Sequence, residues 1–165
     1  SFFGPDTEKY YFMHFSTALQ FLPYGVAVDE FQHLIYENPG MSPAERNAAW
    51  RQLEKTYLPH RDYDGNAFLE NGGFWQKQNH IFNSPFYYID YTLAQICAFQ
   101  FWKKDRENHT AAWADYLRLC QAGGSRSFLD LVRLAKLRSP FEDGCVASVV
   151  GEIRRYLDNV DDSKF

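Results

Sequence analysis

The chain is poor in cysteine, has no long apolar run and shows no marked excess of either charge, and each shortage removes a class of protein. Cys97, Cys120 and Cys145 are odd in number and widely separated. They make neither a disulfide framework nor a Cys-x-x-Cys metal site, so a reducing compartment, and with it a cytoplasmic location, is expected. No apolar stretch approaches the roughly 20 residues that span a bilayer as a helix. Ser1-Phe2-Phe3-Gly4-Pro5 lacks the basic flank of a signal peptide, and a start this apolar and abrupt reads as cut from something larger. With 17 basic and 21 acidic residues and a net charge of -4, the chain offers no field to draw in nucleic acid or an anionic membrane. Also missing are a Gly-x-Ser-x-Gly elbow, a phosphate loop and a dinucleotide fingerprint.

What the sequence has in quantity is aromatic. Its 15 Phe, 11 Tyr and 4 Trp are too many for disorder, and imply a bulky core or a large surface built to be covered. A length of 165 residues favours a single domain, 1–165.

Strand alternation of useful length is absent, as is any internal repeat, so the fold class is all-α. Helical periodicity runs from Asp6 to Glu37, with Asp6 or Thr7 as cap. Pro23 removes a backbone donor within it and predicts a kink or a break into two helices. Ser42-Pro43-Ala44-Glu45 is a capping box with proline at the first helical position; its helix should end near Tyr57, before Leu58-Pro59. From His60 to Gly73 the pattern lapses into a loop with room for one short helix. A second long helix is expected from near Pro85 to about Arg106. Three more follow: Ala111 to Gln121, closed by Gly123-Gly124; Ser127 to Leu137; and Asp143 or Cys145 to about Asp158. The count is two long helices and about four shorter ones.

Asp29-Glu30-Phe31-Gln32-His33 nearly spells the His-Glu-x-x-His zinc motif, whose histidines at i and i+4 face one metal. Asp29 stands where the first histidine belongs and no third ligand is marked, so an intrahelical Asp29–His33 contact is expected and no metal site is assigned. His14 lies in an aromatic stretch and should be packed and hydrogen-bonded; His60 and His109, beside helix ends, should face solvent. The cysteines fall in apolar helical settings, where a structural thiol is the ordinary reading.

Gly72 to Gln95 differs from the rest. On a helical wheel Phe86, Ile89, Leu93, Ile96 and Cys97 share one face, and Tyr87, Tyr88, Tyr91 and Gln95 the other. Such a helix can pack on a core while lining a cleft with phenols, which donate hydrogen bonds and stay neutral at pH 7. Equally, the tyrosines could simply fill an aromatic core. His80 sits just upstream, beyond a glycine-containing loop able to move.

Several segments together resemble the M3 family of zinc metallopeptidases, in its oligoendopeptidase F branch. They are Phe21 to His33, Tyr57-Leu58-Pro59, Gly72-Gly73-Phe74-Trp75, Pro85-Phe86-Tyr87-Tyr88-Ile89-Asp90-Tyr91-Thr92-Leu93-Ala94-Gln95, and Gly123-Gly124-Ser125. The resemblance implies the C-terminal portion of a helical, zincin-like catalytic domain that hydrolyses short peptides inside cells. It also implies that the zinc of the intact enzyme is held by residues N-terminal to this segment, with no cofactor in this chain. His80, Tyr88 and Tyr91 then match positions that contact the substrate and the tetrahedral intermediate. Tyr87, Gly72 and Gly73 join them as substrate-binding positions. The expected function is the substrate-binding and transition-state-stabilising part of an oligoendopeptidase, inactive alone. Its expected partners are an oligopeptide, the N-terminal catalytic part, and a second copy met through exposed apolar surface. The alternative is a helical module that binds peptides or itself without catalysis.

Overall fold

A computed structural model describes residues 2–165, and among them the secondary structure is helical, with no strand. Its α-helices are α1 Thr7–Glu37, α2 Pro43–Tyr57, α3 Ala67–Glu70, α4 His80–Asn83, α5 Ile89–Glu107, α6 His109–Ala122, α7 Phe128–Leu134 and α8 Cys145–Asp158. The two long helices and four shorter ones expected from periodicity are present, α3 is the short helix for which the 60–73 loop had room, and α4 is a further single turn. No helix among the described residues is long and apolar enough to cross a membrane.

The boundaries follow local chemistry. In α2, Ser42 Oγ accepts from Glu45 N–H at 3.3 Å while Glu45 Oε2 accepts from Ser42 N–H at 2.7 Å, a reciprocal cap worth about 1 kcal/mol. Asn108 caps α6 through Ala111 N–H. Pro23 does not split α1, which runs unbroken for 31 residues. One backbone bond is lost there, and the buried Leu22, Ala27 and Val28 on either side hold the helix together. The second long helix begins at Ile89 rather than near Pro85, because Phe86 takes a left-handed φ of 62° that no helix can include. Likewise α7 stops at Leu134, three residues early. Lys136 turns left-handed at φ 53°, Lys136 N–H bonds to Arg133 O, and Leu137 N–H reaches back to Val132 O, a Schellman ending with lysine in glycine's place.

Two compact units divide the chain, Leu19–Thr92 and the pair of segments Ser1–Ala18 and Leu93–Phe165. The core of the first unit is Ala27, Val28, Phe31, Ile35, Trp50, Trp75 and Ile81. Phe31 meets Trp50 edge-on at 5.3 Å and Trp75 at 5.1 Å between ring centres. Beside them Glu54 has no accessible surface and is neutralised by Arg61 at 3.1 Å, Arg51 at 3.5 Å and the Tyr63 hydroxyl.

In the second unit Val132, Ala135 and Leu137 pack on Cys97, Phe101 and Leu119. Gln100 clamps the end of α7 from both sides, donating to Arg138 O at 3.0 Å and accepting from Arg138 N–H at 2.8 Å. The buried Asp115 is balanced by Lys104 at 2.8 Å, Lys136 at 3.5 Å and Arg118. Along α8, Cys145, Val149 and Ile153 are buried at every fourth position, the spacing of one helical stripe. His14 is exposed, stacking on Tyr10 at 5.7 Å, so the packed position expected for it is corrected. Its neighbour Phe15 takes the packed face of this part of α1, against Trp102 and Tyr156 at 5.0 and 5.5 Å, and His14 falls on the other side. His60 and His109 are exposed, as their places at helix ends suggest.

Candidate functional site

The first unit gathers His80, Tyr87, Tyr88 and Tyr91 into one cluster, and the path of the chain between Gly72 and Thr92 explains how. Gly72, at φ 86°, starts the turn, and a Cβ on it would run into Asn47 O of α2. Gly73 is covered by the Phe68 ring. Both glycines are buried; Gly72 is required for the loop to lie this close to α2, and Gly73 leaves room for the Phe68 ring of α3. Trp75 then drives the loop into the core and donates from Nε1 to Asn47 Oδ1 at 2.9 Å. Ile81 is buried one turn later, and the two anchors fix the stretch between them, which carries Gln78 and His80.

A second device fixes the approach to α5. The buried Gln32 donates to Val28 O at 3.2 Å and accepts from Phe86 N–H at 2.8 Å, so α1 holds the strained Phe86 backbone in place. His33 and Tyr36 flank the Phe86 ring at 4.9 and 5.1 Å. Gly25 takes the closest approach to α5, since a Cβ on it would overlap Thr92 Oγ1. The near-miss zinc motif is therefore part of a clamp. Asp29 contacts His33 at 3.5 Å along the helix, as expected, and burial raises the Asp29 pKa, against the opposing pull of His33. Among the described residues no group of three or more His, Cys, Asp or Glu could hold a metal ion.

The cluster itself is a ring of edge-on contacts. His80 lies 5.0 Å from Tyr88 and 5.6 Å from Tyr91, and Tyr91 lies 5.5 Å from Tyr88 and 5.4 Å from Tyr87. Its inner side is packed, Tyr88 meeting Phe21 and Tyr24 at 5.9 Å each. Its outer side is open, with Tyr87 49% and Tyr91 42% accessible. The Tyr91 hydroxyl stands 3.5 Å from His80 Nε2, too long for a strong mutual bond and well spaced for both groups to meet one incoming oxygen. Burial, with the neighbouring Tyr91 second, raises the Tyr88 pKa, and burial, with Tyr88 second, raises that of Tyr24. These phenols keep their protons and can donate.

All four side chains that sequence reasoning put in one site are brought together, but not on one helix. His80 opens α4, Tyr87 and Tyr88 stand in the turn before α5, and of the tyrosines only Tyr91 is helical. Phe86 is 40% exposed, so it does not belong to the apolar face assigned to it. Sequence reasoning missed Gln78, Tyr24 and Gln32. Gln78 and Tyr24 meet across 54 positions of chain, and no periodic signal marks a pair so far apart.

The model of peptidase family M3 matches residues 8–150. Among solved structures, the chain is similar to a protein assigned as oligoendopeptidase F, at 64% identity and a TM-score of 0.94, over 99% of this chain and 29% of that one. It is also similar to PZ peptidase A in complex with an inhibitor, at 66% identity and a TM-score of 0.93, over 97% and 28%. A protein of Bacillus anthracis, likewise assigned as oligoendopeptidase F, matches at 56% identity and a TM-score of 0.79, over 97% and 25%. The chain thus spans between a quarter and three-tenths of the length of these structures. No curated protein sequence matches it.

Proposed function

The chain belongs to peptidase family M3, and we propose that it supplies the wall of an oligoendopeptidase active site that binds the peptide and steadies the transition state. The observation that carries this reading is the open cluster of neutral hydrogen-bond donors, Tyr91 and Tyr88 beside His80, on a buried support. A peptide carbonyl becomes negatively charged as it is attacked, and donors already aimed at it cost no reorganisation when that charge appears. Tyr91 is the oxyanion donor in this reading, being both accessible and within 3.5 Å of His80 Nε2. His80 holds the peptide backbone, Tyr88 backs both rings, and Tyr87 lines the rim. Gly72 and Gly73 act at the base of the loop that carries His80. The zinc that the family resemblance implies finds no donor set of three among the described residues, so no step proposed for this chain passes through a metal.

The test is a chimera in which this sequence replaces the aligned segment of PZ peptidase A, assayed on a quenched fluorogenic oligopeptide. Tyr91→Phe should lower kcat by about 100-fold while moving KM little, the loss expected for one oxyanion donor. His80→Ala should raise KM. If Tyr91→Phe keeps kcat within about twofold of the parent chimera, Tyr91 does not contact the transition state and the reading is wrong.

A further inference from the structure

His80 has two ring nitrogens, and whichever carries the proton is the one that can donate to a substrate. A neutral imidazole bears one N–H and one bare acceptor, and the partner at one nitrogen decides the state of the other. Here the partner is Gln78, whose Nε2 lies 2.7 Å from His80 Nδ1. The other end of the same amide, Oε1, accepts from the Tyr24 hydroxyl at 2.8 Å.

Tyr24 decides which way round that amide sits. Its ring is wedged among Trp50, Phe74 and Tyr88 at 5.9 to 6.2 Å between centres, and the Arg61 guanidinium lies 5.1 Å over its face. Arg61 is in turn tied to the buried Glu54. A phenol enclosed in this way keeps its proton and has one oxygen to give it to, so the amide oxygen faces Tyr24 and the amide N–H faces the imidazole. Nδ1 must then accept, and the ring proton sits on Nε2, the nitrogen 3.5 Å from the Tyr91 hydroxyl.

We propose that Gln78, oriented by Tyr24, is a positioning residue that fixes His80 in the Nε2–H tautomer and turns that N–H toward the peptide carbonyl beside Tyr91. The role of His80 as a substrate contact is taken from the proposed function; the tautomer stands on these contacts alone. Gln78 touches no substrate in this arrangement. It makes His80 a donor, so that His80 and Tyr91 present two N–H or O–H groups to one oxygen.

The tautomer is read directly from two-bond proton–nitrogen correlation spectra of the chain labelled with nitrogen-15 histidine, at about pH 8, where ordinary histidines are neutral. The His80 signals are identified by their loss in His80→Gln. The expected result is a bare Nδ1 and a protonated Nε2. Gln78→Glu places a carboxylate where the amide N–H was, and a carboxylate only accepts, so the proton should move to Nδ1. Tyr24→Phe frees the amide to turn over, and both tautomers should appear. A protonated Nδ1 in the unaltered chain overturns the proposal, as does a Gln78→Glu spectrum identical to the parent's. The first of these needs no variant to fold, and a near-ultraviolet circular dichroism spectrum, dominated by the packed aromatic side chains, reports whether a variant has. In the chimera, Gln78→Glu should lower kcat/KM at least tenfold, with Gln78→Asn less damaging. No substrate is present in the spectra. A correct tautomer with unaltered kinetics would therefore refute the substrate contact at His80 and leave the assignment of Gln78 standing.

Discussion

Single residues in this chain are tuned mostly by burial, and Cys97 shows how that translates into behaviour. It lines an apolar hollow with Phe101, Leu119 and Val132, and burial, with Cys145 second, pushes its thiol up to about 11. Burial penalises the thiolate and leaves the thiol alone, so the reactive fraction at pH 8 falls to about one in a thousand and grows tenfold per pH unit. Alkylation by iodoacetamide at about pH 8, followed by peptide mass mapping, should label the exposed Cys120 and leave Cys97 unmodified until the pH approaches 11. Rapid labelling of Cys97 in the folded chain would show the hollow to be open. The same shift has a cost in folding. Between about pH 9 and pH 11 the unfolded chain ionises this thiol and the folded one does not, so stability falls as pH rises through that window. The apolar setting of Cys97 and Cys145 was legible from sequence, but the same expectation fails for Cys120, which is exposed; the clustering of His80, Tyr87, Tyr88 and Tyr91 was foreshadowed by the motifs that carry them. Gln78 was not, because glutamine in a loop has no periodicity and its meaning comes only from what stands 2.7 Å away.

Between elements, the first unit depends on how closely α1 approaches the start of α5. Gly25 is buried with Thr92 Oγ1 in the space a methyl group would need and Thr92 Cβ 3.3 Å from it, and that hydroxyl has no hydrogen-bond partner. Gly25→Ala should destabilise the chain by roughly 1–3 kcal/mol through overpacking. Thr92→Ala removes the obstructing oxygen, so the double variant should recover most of that loss, with a coupling of about 1 kcal/mol or more in a denaturation cycle. Strict additivity would mean the helices shift apart instead of clashing. This contact also shows where periodicity misleads. The helical wheel extended α5 back to Pro85, since Phe86 and Ile89 fit its apolar stripe, yet Phe86 is left-handed and bonded to Gln32. Tertiary contact with α1 overrides the local pattern there, as it does at Pro23, where one lost backbone bond is too little to break a helix buried on both sides of the proline. Capping chemistry is the opposite case. Ser42, Asn108 and Ser127 each cap a helix with their own side chains, and two of those three starts could be read directly from the sequence.

For the molecule as a whole, the question is whether any part of it can do the hydrolysis that its family name implies. A catalytic zinc takes three protein ligands and an open position. The described residues offer carboxylate–histidine pairs one helical turn apart, Asp29 with His33 at 3.5 Å and Asp105 with His109 at 2.6 Å, but no third donor joins either pair. Two ligands bind zinc weakly and leave it without the geometry to activate water. What its first unit does hold is the open cluster of His80, Tyr88 and Tyr91, and the role proposed for it, donation to an attacked carbonyl, raises the rate only when something else delivers the nucleophile. Metal analysis of the purified chain should therefore find zinc well below one equivalent, and a quenched fluorogenic oligopeptide should remain uncut with and without added zinc. The same peptide should be cut by the chimera, where this sequence stands beside the rest of PZ peptidase A. Stoichiometric zinc in the chain, with turnover that His33→Ala abolishes, would make the near-miss motif in α1 a working site and reverse the assignment of roles. Turnover lost in Tyr91→Phe as well would show that the two halves of the chemistry reside in one 165-residue chain.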